Sequence, residues 1–278
     1  MGLFDAFRYD GKRALVVGGA TGMGAATAEL VKDAGAEVVV MDRAEVTLDG
    51  VKAIHLDLSD KASIDSAIEE CGGPIHALFS CAGVAEGTPG IEKINFIGHR
   101  YMIDQLLEKD LLPRGSAIGM ISSAAGMGWE ANLESIMEFL EISDFDEAAV
   151  WCQEHGRVGY MPSKQQMGAY VASRAFPMLK RGIRINCIMP GPTDTPLAQA
   201  NAEQWLGFGA DYRGEAGIEA ATALEQAYPL VFLCSDAASG ITGITMMTDA
   251  GFHSSGVSGV FPSATEAVKF LRGDYGPI

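Results

Sequence analysis

The sequence predicts an α/β protein in which about seven strands form one doubly wound parallel sheet. Two observations carry this prediction. Apolar runs of strand length alternate with amphipathic stretches of helix length from residue 13 to residue 248, the pattern of repeated strand–helix–strand units. The first run passes straight into Gly18-Gly-Ala-Thr21-Gly22-Met23-Gly24 and then a helix, so a strand feeds a helix through a glycine-rich turn. With 278 residues, 48% of them hydrophobic, the chain can bury one large core. It shows no repeat, low-complexity segment or linker, so 1–278 is read as a single domain.

Taken in order, residues 13–18 form a buried strand. A helix from Ala25 to about Ala34 stops at Gly35, and Glu37–Asp42 is the second strand. The intervening turn leaves backbone N–H groups and a helix N-terminus free to hold a pyrophosphate. Its glycines follow the spacing G-x-x-x-G-x-G, not the commoner G-x-G-x-x-G. Asp42 ends the second strand, where a carboxylate accepts hydrogen bonds from adenosine ribose hydroxyls and repels a 2′-phosphate. That favours NAD over NADP, although Arg43 next door is suited to pair with a 2′-phosphate. Residues 51–58 form a strand, and Ser59 or Asp60 caps a helix to Glu70. The strand 75–80 ends in Cys81-Ala82-Gly83, small residues that let a flat adenosine lie close to backbone. A helix follows from about Ile91 to Leu107, then a strand, 116–122, ending at Ser123.

The rhythm then breaks. Residues 129–156 are acidic and amphipathic and read as a helical insertion of two short helices. The next helix carries Tyr160-Met-Pro-Ser-Lys164 and an apolar run through Met167, Val171 and Leu179. Arg184–Met189 is a sixth strand, running into Pro190-Gly191-Pro-Thr193-Asp-Thr195-Pro196. Residues 197–218 have little strand signal and suit a mobile flap. A helix from about Ile218 to Leu233 precedes a last strand, Thr242–Thr248. The tail, 252–278, holds one short helix, roughly Ala264–Leu271. Gly18, Asp42, Asp57, Gly83, Ser123 and Pro190 all fall at C-terminal strand ends, where doubly wound sheets bind ligands.

Tyr160 and Lys164 are four residues apart, one turn along a single helix face. A nearby ammonium favours the ionised phenol, and a Tyr tuned in this way can protonate a carbonyl oxygen or deprotonate an alcohol. The composition excludes other classes. A net charge of −16 repels nucleic acid and anionic lipid. No apolar run is long enough to span a bilayer. The segment Met1–Arg8 is no signal peptide, and Ala6 stands where N-myristoylation needs Ser or Thr. Five scattered cysteines and five dispersed histidines give neither a disulfide framework nor metal-ligand spacing. The reading is a cytoplasmic protein without a metal.

Together, Gly18-x-x-x-Gly22-x-Gly24, Asp57-Leu58, Ala82-Gly83, Asn95 in Ile-Asn-Phe-Ile-Gly98, Ser123, Tyr160-x-x-x-Lys164 and Pro190-Gly-x-x-x-Thr195 resemble the short-chain dehydrogenase/reductase family over nearly the whole chain. The resemblance implies a Rossmann-fold oxidoreductase with an Asn–Ser–Tyr–Lys tetrad. Tyr160 would be the general acid/base, and Lys164 would lower its pKa and hold the nicotinamide ribose. Ser123, rather than Ser122, would bind the substrate oxygen, and Asn95 would hold the water of a proton relay. Asp57 and Leu58 would flank the adenine, and Thr193 and Thr195 would contact the carboxamide and pyrophosphate. Val17 and Ser80-Cys81 depart from the Thr and Asn residues usual there. The long Ser123-to-Tyr160 gap is similar to that of bacterial 3α-hydroxysteroid dehydrogenase/carbonyl reductases. It lies where family members pair helices, so it either caps the substrate or changes the oligomer, a homodimer or homotetramer.

Trp129, Met127, Met161, Met189, Trp205 and Phe208 are candidates for an apolar pocket, or else ordinary core. The substrate expected is a hydrophobic secondary alcohol or ketone, such as a hydroxysteroid or similar alicycle. The alternatives are a non-catalytic dinucleotide sensor and an epimerase or dehydratase of the same family.

Overall fold

The computed structural model describes residues 2–272. Seven parallel strands form the main sheet: β1 (Arg13–Val17), β2 (Glu37–Asp42), β3 (Lys52–His55), β4 (Ala77–Ser80), β5 (Ala117–Ile121), β6 (Arg184–Pro190) and β9 (Thr245–Thr248). Their order is β3-β2-β1-β4-β5-β6-β9. The order reverses between β1 and β4, and this opens the crevice in which such sheets take ligands. Ala14, Leu15, Val16 and Val17 are fully buried, as a central strand covered on both faces requires. Leu15 and Val17 join the core beneath one helical layer, while Ala14 and Val16 join the core on the opposite face. That alternation is the period-two geometry of a strand.

The helices α1 (Gly22–Asp33) and α10 (Ala223–Cys234) cover one face. On the other lie α2 (Lys61–Cys71), α3 (Gly98–Glu108) and the long α6 (Tyr160–Lys180). The predicted insertion is helical: α4 (Leu133–Leu140) and α5 (Phe145–Glu154) pack against the α3/α6 layer. Phe139 of α4 meets Phe96 at 5.9 Å and lies under the Arg100 guanidinium at 5.1 Å. Phe145 of α5 meets Tyr101 edge-on at 5.7 Å, and Asp146 pairs with Lys93 at 2.7 Å. Burying Ile136, Phe139 and Phe145 contributes about 1.5–3 kcal/mol each. The insertion is thus part of the core.

Three segments differ from the sequence reading. The third strand shortens to 52–55, because Leu56 and Leu58 turn inward beyond the ladder. Residues 197–218, read as a mobile flap with little strand signal and assigned no helix, hold α7 (Pro196–Gln199), α8 (Ala202–Trp205) and α9 (Ala210–Ala216). A two-stranded ladder, β7 (Thr193–Asp194) with β8 (Ala221–Thr222), anchors the ends of this segment. The tail holds two helices, α11 (Phe252–Ser258) and α12 (Pro262–Arg272), not one. Met1 and residues 273–278 of the expected tail lie outside the described residues. Among the described residues no helix is long and apolar enough to cross a membrane.

Candidate active site

The glycine turn is built by close backbone approach. Gly18 has φ +83°, and a Cβ there would lie 2.4 Å from Ala82 Cα; a Cβ at Gly24 would lie 1.9 Å from the Gly18 carbonyl oxygen. Only glycine permits either contact. Helix α1 begins at Thr21 with no side chain capping it, so its first-turn N–H groups are available to an anion. The Asp42 carboxylate reaches back into this turn, where Oδ2 accepts from Ala20 N–H at 2.9 Å and Oδ1 from Ala44 N–H at 2.8 Å. Arg43 is exposed beside it. Asp57 accepts from Ser59 N–H at 2.8 Å and Ser59 Oγ at 2.6 Å, and these bonds hold its carboxyl below the usual range.

A cleft of about 260 Å³ runs along these groups. Gly18, Thr21, Gly22, Met23, Gly24, Asp42, Arg43, Asp57, Leu58, Cys81, Ala82, Gly83 and Thr195 all line it. Pro190, Gly191 and Thr193 do not. Pro190 is buried at the end of β6, and Thr193 donates its hydroxyl to Gly191 O at 2.9 Å. The sequence reading missed Met41, Ala44, Leu56, Val84, Ile94 and Leu197, which also line the cleft. Each lies one to three residues from a residue that was read, so adjacency was the available signal. It also missed His99, whose Nε2 donates to Ala82 O at 3.0 Å. Burial pushes this imidazole down to about 4, so it is neutral and braces the cleft wall.

The tetrad residues, Tyr160 and Lys164 included, do not line the cleft but gather beside it, next to Gly83. Lys164 is buried, and its Nζ donates to Ile121 O at 2.9 Å and lies 5.5 Å from the centre of the Tyr160 ring. A Cβ at Gly83 would lie 3.4 Å from Asn95 Oδ1 and 3.7 Å from Lys164 Nζ, so all three groups meet at the cleft's edge. Asn95 sits in a π-helical turn, Lys93–Ile97, that leads into α3. Its side chain takes Val84 N–H at 2.7 Å and gives to Val84 O at 3.1 Å. Ser123 and not Ser122 reaches the phenol: Ser122 Oγ is committed to Lys164 O at 2.8 Å, whereas the Ser123 hydroxyl pulls the Tyr160 pKa down. Burial outweighs that pull and raises the phenol, and it lowers Lys164 to about 8. The expected depression of the phenol by Lys164 is therefore replaced by a net rise, because desolvation disfavours both charged forms.

A family profile described as enoyl-(acyl carrier protein) reductase matches residues 18–253. Coniferyl-alcohol dehydrogenase from Pseudomonas sp. (strain HR199 / DSM 7063) is 29% identical over 87% of this chain and 97% of its own. The 3-alpha-hydroxysteroid dehydrogenase/carbonyl reductase of Comamonas testosteroni is 28% identical over 85% and 95%. The crystal structure of a 3-alpha-hydroxysteroid dehydrogenase from Pseudomonas sp. B-0831, complexed with NADH, has a TM-score of 0.71 and 26% identity, covering 87% of this chain and 97% of that one. The chain is a short-chain dehydrogenase/reductase.

As such it is an oxidoreductase acting on CH–OH groups, in a family that uses NAD or NADP. In this short-chain dehydrogenase/reductase an apolar cluster adjoins Ser123 and Tyr160. Ala124, Met127 and Met189 are buried against Leu271 of α12, with Trp129, Met161, Phe208 and Met247 around them. The indole of Trp205 in α8 lies over the Tyr160 ring at 4.9 Å. A Cβ at Gly128 (φ +74°) would lie 2.5 Å from Arg272 Cα, so α12 seats directly on the loop after Ser123.

Proposed function

We propose that this dehydrogenase interconverts a hydrophobic secondary alcohol and its ketone with NAD(H), and that it works in the cytoplasm on a steroid-like or other alicyclic substrate. The observation that carries the substrate class is the apolar wall of Met127, Met161, Met189, Phe208 and Leu271 beside the tetrad. These side chains are packed as a cluster in the structure; opened by a substrate, such a wall would favour a bulky ring system, with thioethers that adapt to irregular shapes. Hydroxysteroid oxidation by the relatives named above points the same way. The cofactor preference rests on Asp42 at the cleft's ribose end.

The residues of the cleft fit a dinucleotide: glycines that admit backbone contact, an uncapped helix N-terminus and a carboxylate at the second strand's end. The bound nicotinamide would supply the hydride acceptor or donor. In oxidation, Tyr160 takes the hydroxyl proton while Ser123 orients the oxygen, and the Lys164 ammonium favours the phenolate. Asn95 fixes the Val84 peptide and would hold the relay water beside Lys164. Ketone reduction uses the same groups in reverse.

Titrating NADH and NADPH separately, read by tryptophan-to-nicotinamide energy transfer, tests the cofactor. Tighter NADH binding is expected, with discrimination lost in Asp42→Ala; an NADPH preference would transfer the deciding role to Arg43. A screen of hydroxysteroids, cyclic alcohols and sugar alcohols tests the substrate. Turnover confined to small polar sugars would refute the proposal.

A further inference from the structure

Helix α6 carries Tyr160 as its first residue, and its N-cap position, Gly159, has no side chain to cap it. The Tyr160 N–H is nevertheless satisfied. The Glu86 carboxylate, from the turn after β4, accepts it through Oε2 at 2.7 Å. Gly159 makes room for this contact: its φ is +146°, and a Cβ there would lie 3.2 Å from the same oxygen. A carboxylate is well placed against a helix N-terminus, where the free N–H groups and the helix dipole favour negative charge.

Two further bonds link this cap to the rest of the site. The Tyr160 carbonyl accepts from Ser163 Oγ at 2.7 Å, and that oxygen lies 3.4 Å from Asn95 Nδ2. Asn95 in turn holds both polar groups of the Val84 peptide, two residues before Glu86 on the same loop. The loop starting at Ala82 walls the cofactor cleft. Glu86 thus joins the cofactor wall to the backbone of the acid/base residue.

We propose that Glu86 is a positioning residue for Tyr160, capping α6 from a separate loop so that the phenol is held in register with Ser123 and the nicotinamide end of the cleft. This rests on the reading of Tyr160 as the general acid/base. Its effect should fall on the chemical step, since a misplacement of about 1 Å can lower a rate about 100-fold.

The test compares Glu86→Ala, Glu86→Gln and Glu86→Asp with the wild type, using NAD and the alcohol oxidised fastest in the screen above. In Glu86→Ala, kcat should fall about 10- to 100-fold, with KM and NADH affinity within about threefold. Glu86→Gln should recover most of kcat, because the amide oxygen still accepts the N–H. Glu86→Asp is one methylene short and should resemble Glu86→Ala, so it decides the matter if the alanine variant does not fold. In a Tyr160→Phe background, Glu86→Ala should cause no further loss. A kcat within twofold of wild type in both Glu86→Ala and Glu86→Asp would overturn the proposal. So would equal losses in Glu86→Gln and Glu86→Ala, or an undiminished loss in the Tyr160→Phe background. Full activity of Tyr160→Phe itself would instead overturn the acid/base reading, whatever the Glu86 variants do.

Discussion

Lys164 is an ammonium taken almost wholly out of water, and it donates to the Ile121 carbonyl. Its pKa falls from 10.5 to about 8, so charging it works against the fold. The destabilisation is complete below pH 8, where folded and unfolded states are both protonated. It fades between pH 8 and 10.5, as the folded state sheds its proton first. Lys164→Met should therefore abolish turnover yet raise stability at pH 7 by about 2 kcal/mol, after allowing for the orphaned Ile121 carbonyl. Thermal melts at pH 7 and pH 10 would check this, and the gain should shrink at the higher pH. Ser123→Ala removes the hydroxyl that favours the phenolate. The acid limb of alcohol oxidation, where the phenolate is lost to protonation, should move to higher pH, with kcat down about 100-fold or more. At this scale the glycines, Asp42, Ser123, Tyr160 and Lys164 were legible because each sits at a strand end or on a fixed helical spacing. Glu86 and His99 were not, because their partners are backbone groups 74 and 17 residues away.

Helices of eight residues or more were read from periodicity, including both insertion helices. Failures fell on pieces too short to show a period: α7 and α8 have four residues each, and α9 and α11 have seven. These pieces matter because they carry the roof of the site. The Trp205 ring of α8 lies tilted against the Tyr160 ring, 4.9 Å between centres, and a bulky alcohol reaching the phenol is expected to move it. Adding a ketone to the complex with oxidised NAD, where no hydride can pass, should change tryptophan emission saturably, and Trp205→Phe should lose most of that change. The seat of α12 on Gly128 is equally specific. Gly128→Val combines a left-handed backbone with a collision against Arg272, and a cost of about 2–3 kcal/mol is expected. Melting should drop by roughly 4–12 °C, and selectivity among large alcohols should relax as α12 lifts from Met127.

For the molecule as a whole, a parallel sheet covered on both faces followed from alternating strands and helices, whereas the strand order and the crevice between β1 and β4 came from the structure. Where the insertion would go was not legible either, since an amphipathic pair names an apolar face but not its partner. The sheet ends at β9, and Ile244 beside it and Leu224 and Tyr228 on α10 are exposed. We expect two copies to pair through this edge. Light scattering should give a dimer, and Tyr228→Glu should shift it to monomer without altering cofactor affinity. The two hydrogen bonds that Asp42 accepts, from Ala20 N–H and Ala44 N–H, bear on the enzyme's history as well as its chemistry. On the proposed reading, the residue that would reject a 2′-phosphate also ties down the glycine turn that would take the pyrophosphate. A lineage drifting towards the phosphorylated cofactor by losing this carboxylate would first slacken its hold on both cofactors. Such a crossing needs compensation elsewhere in the turn before it can be selected, so a single codon change is not enough to reverse the preference.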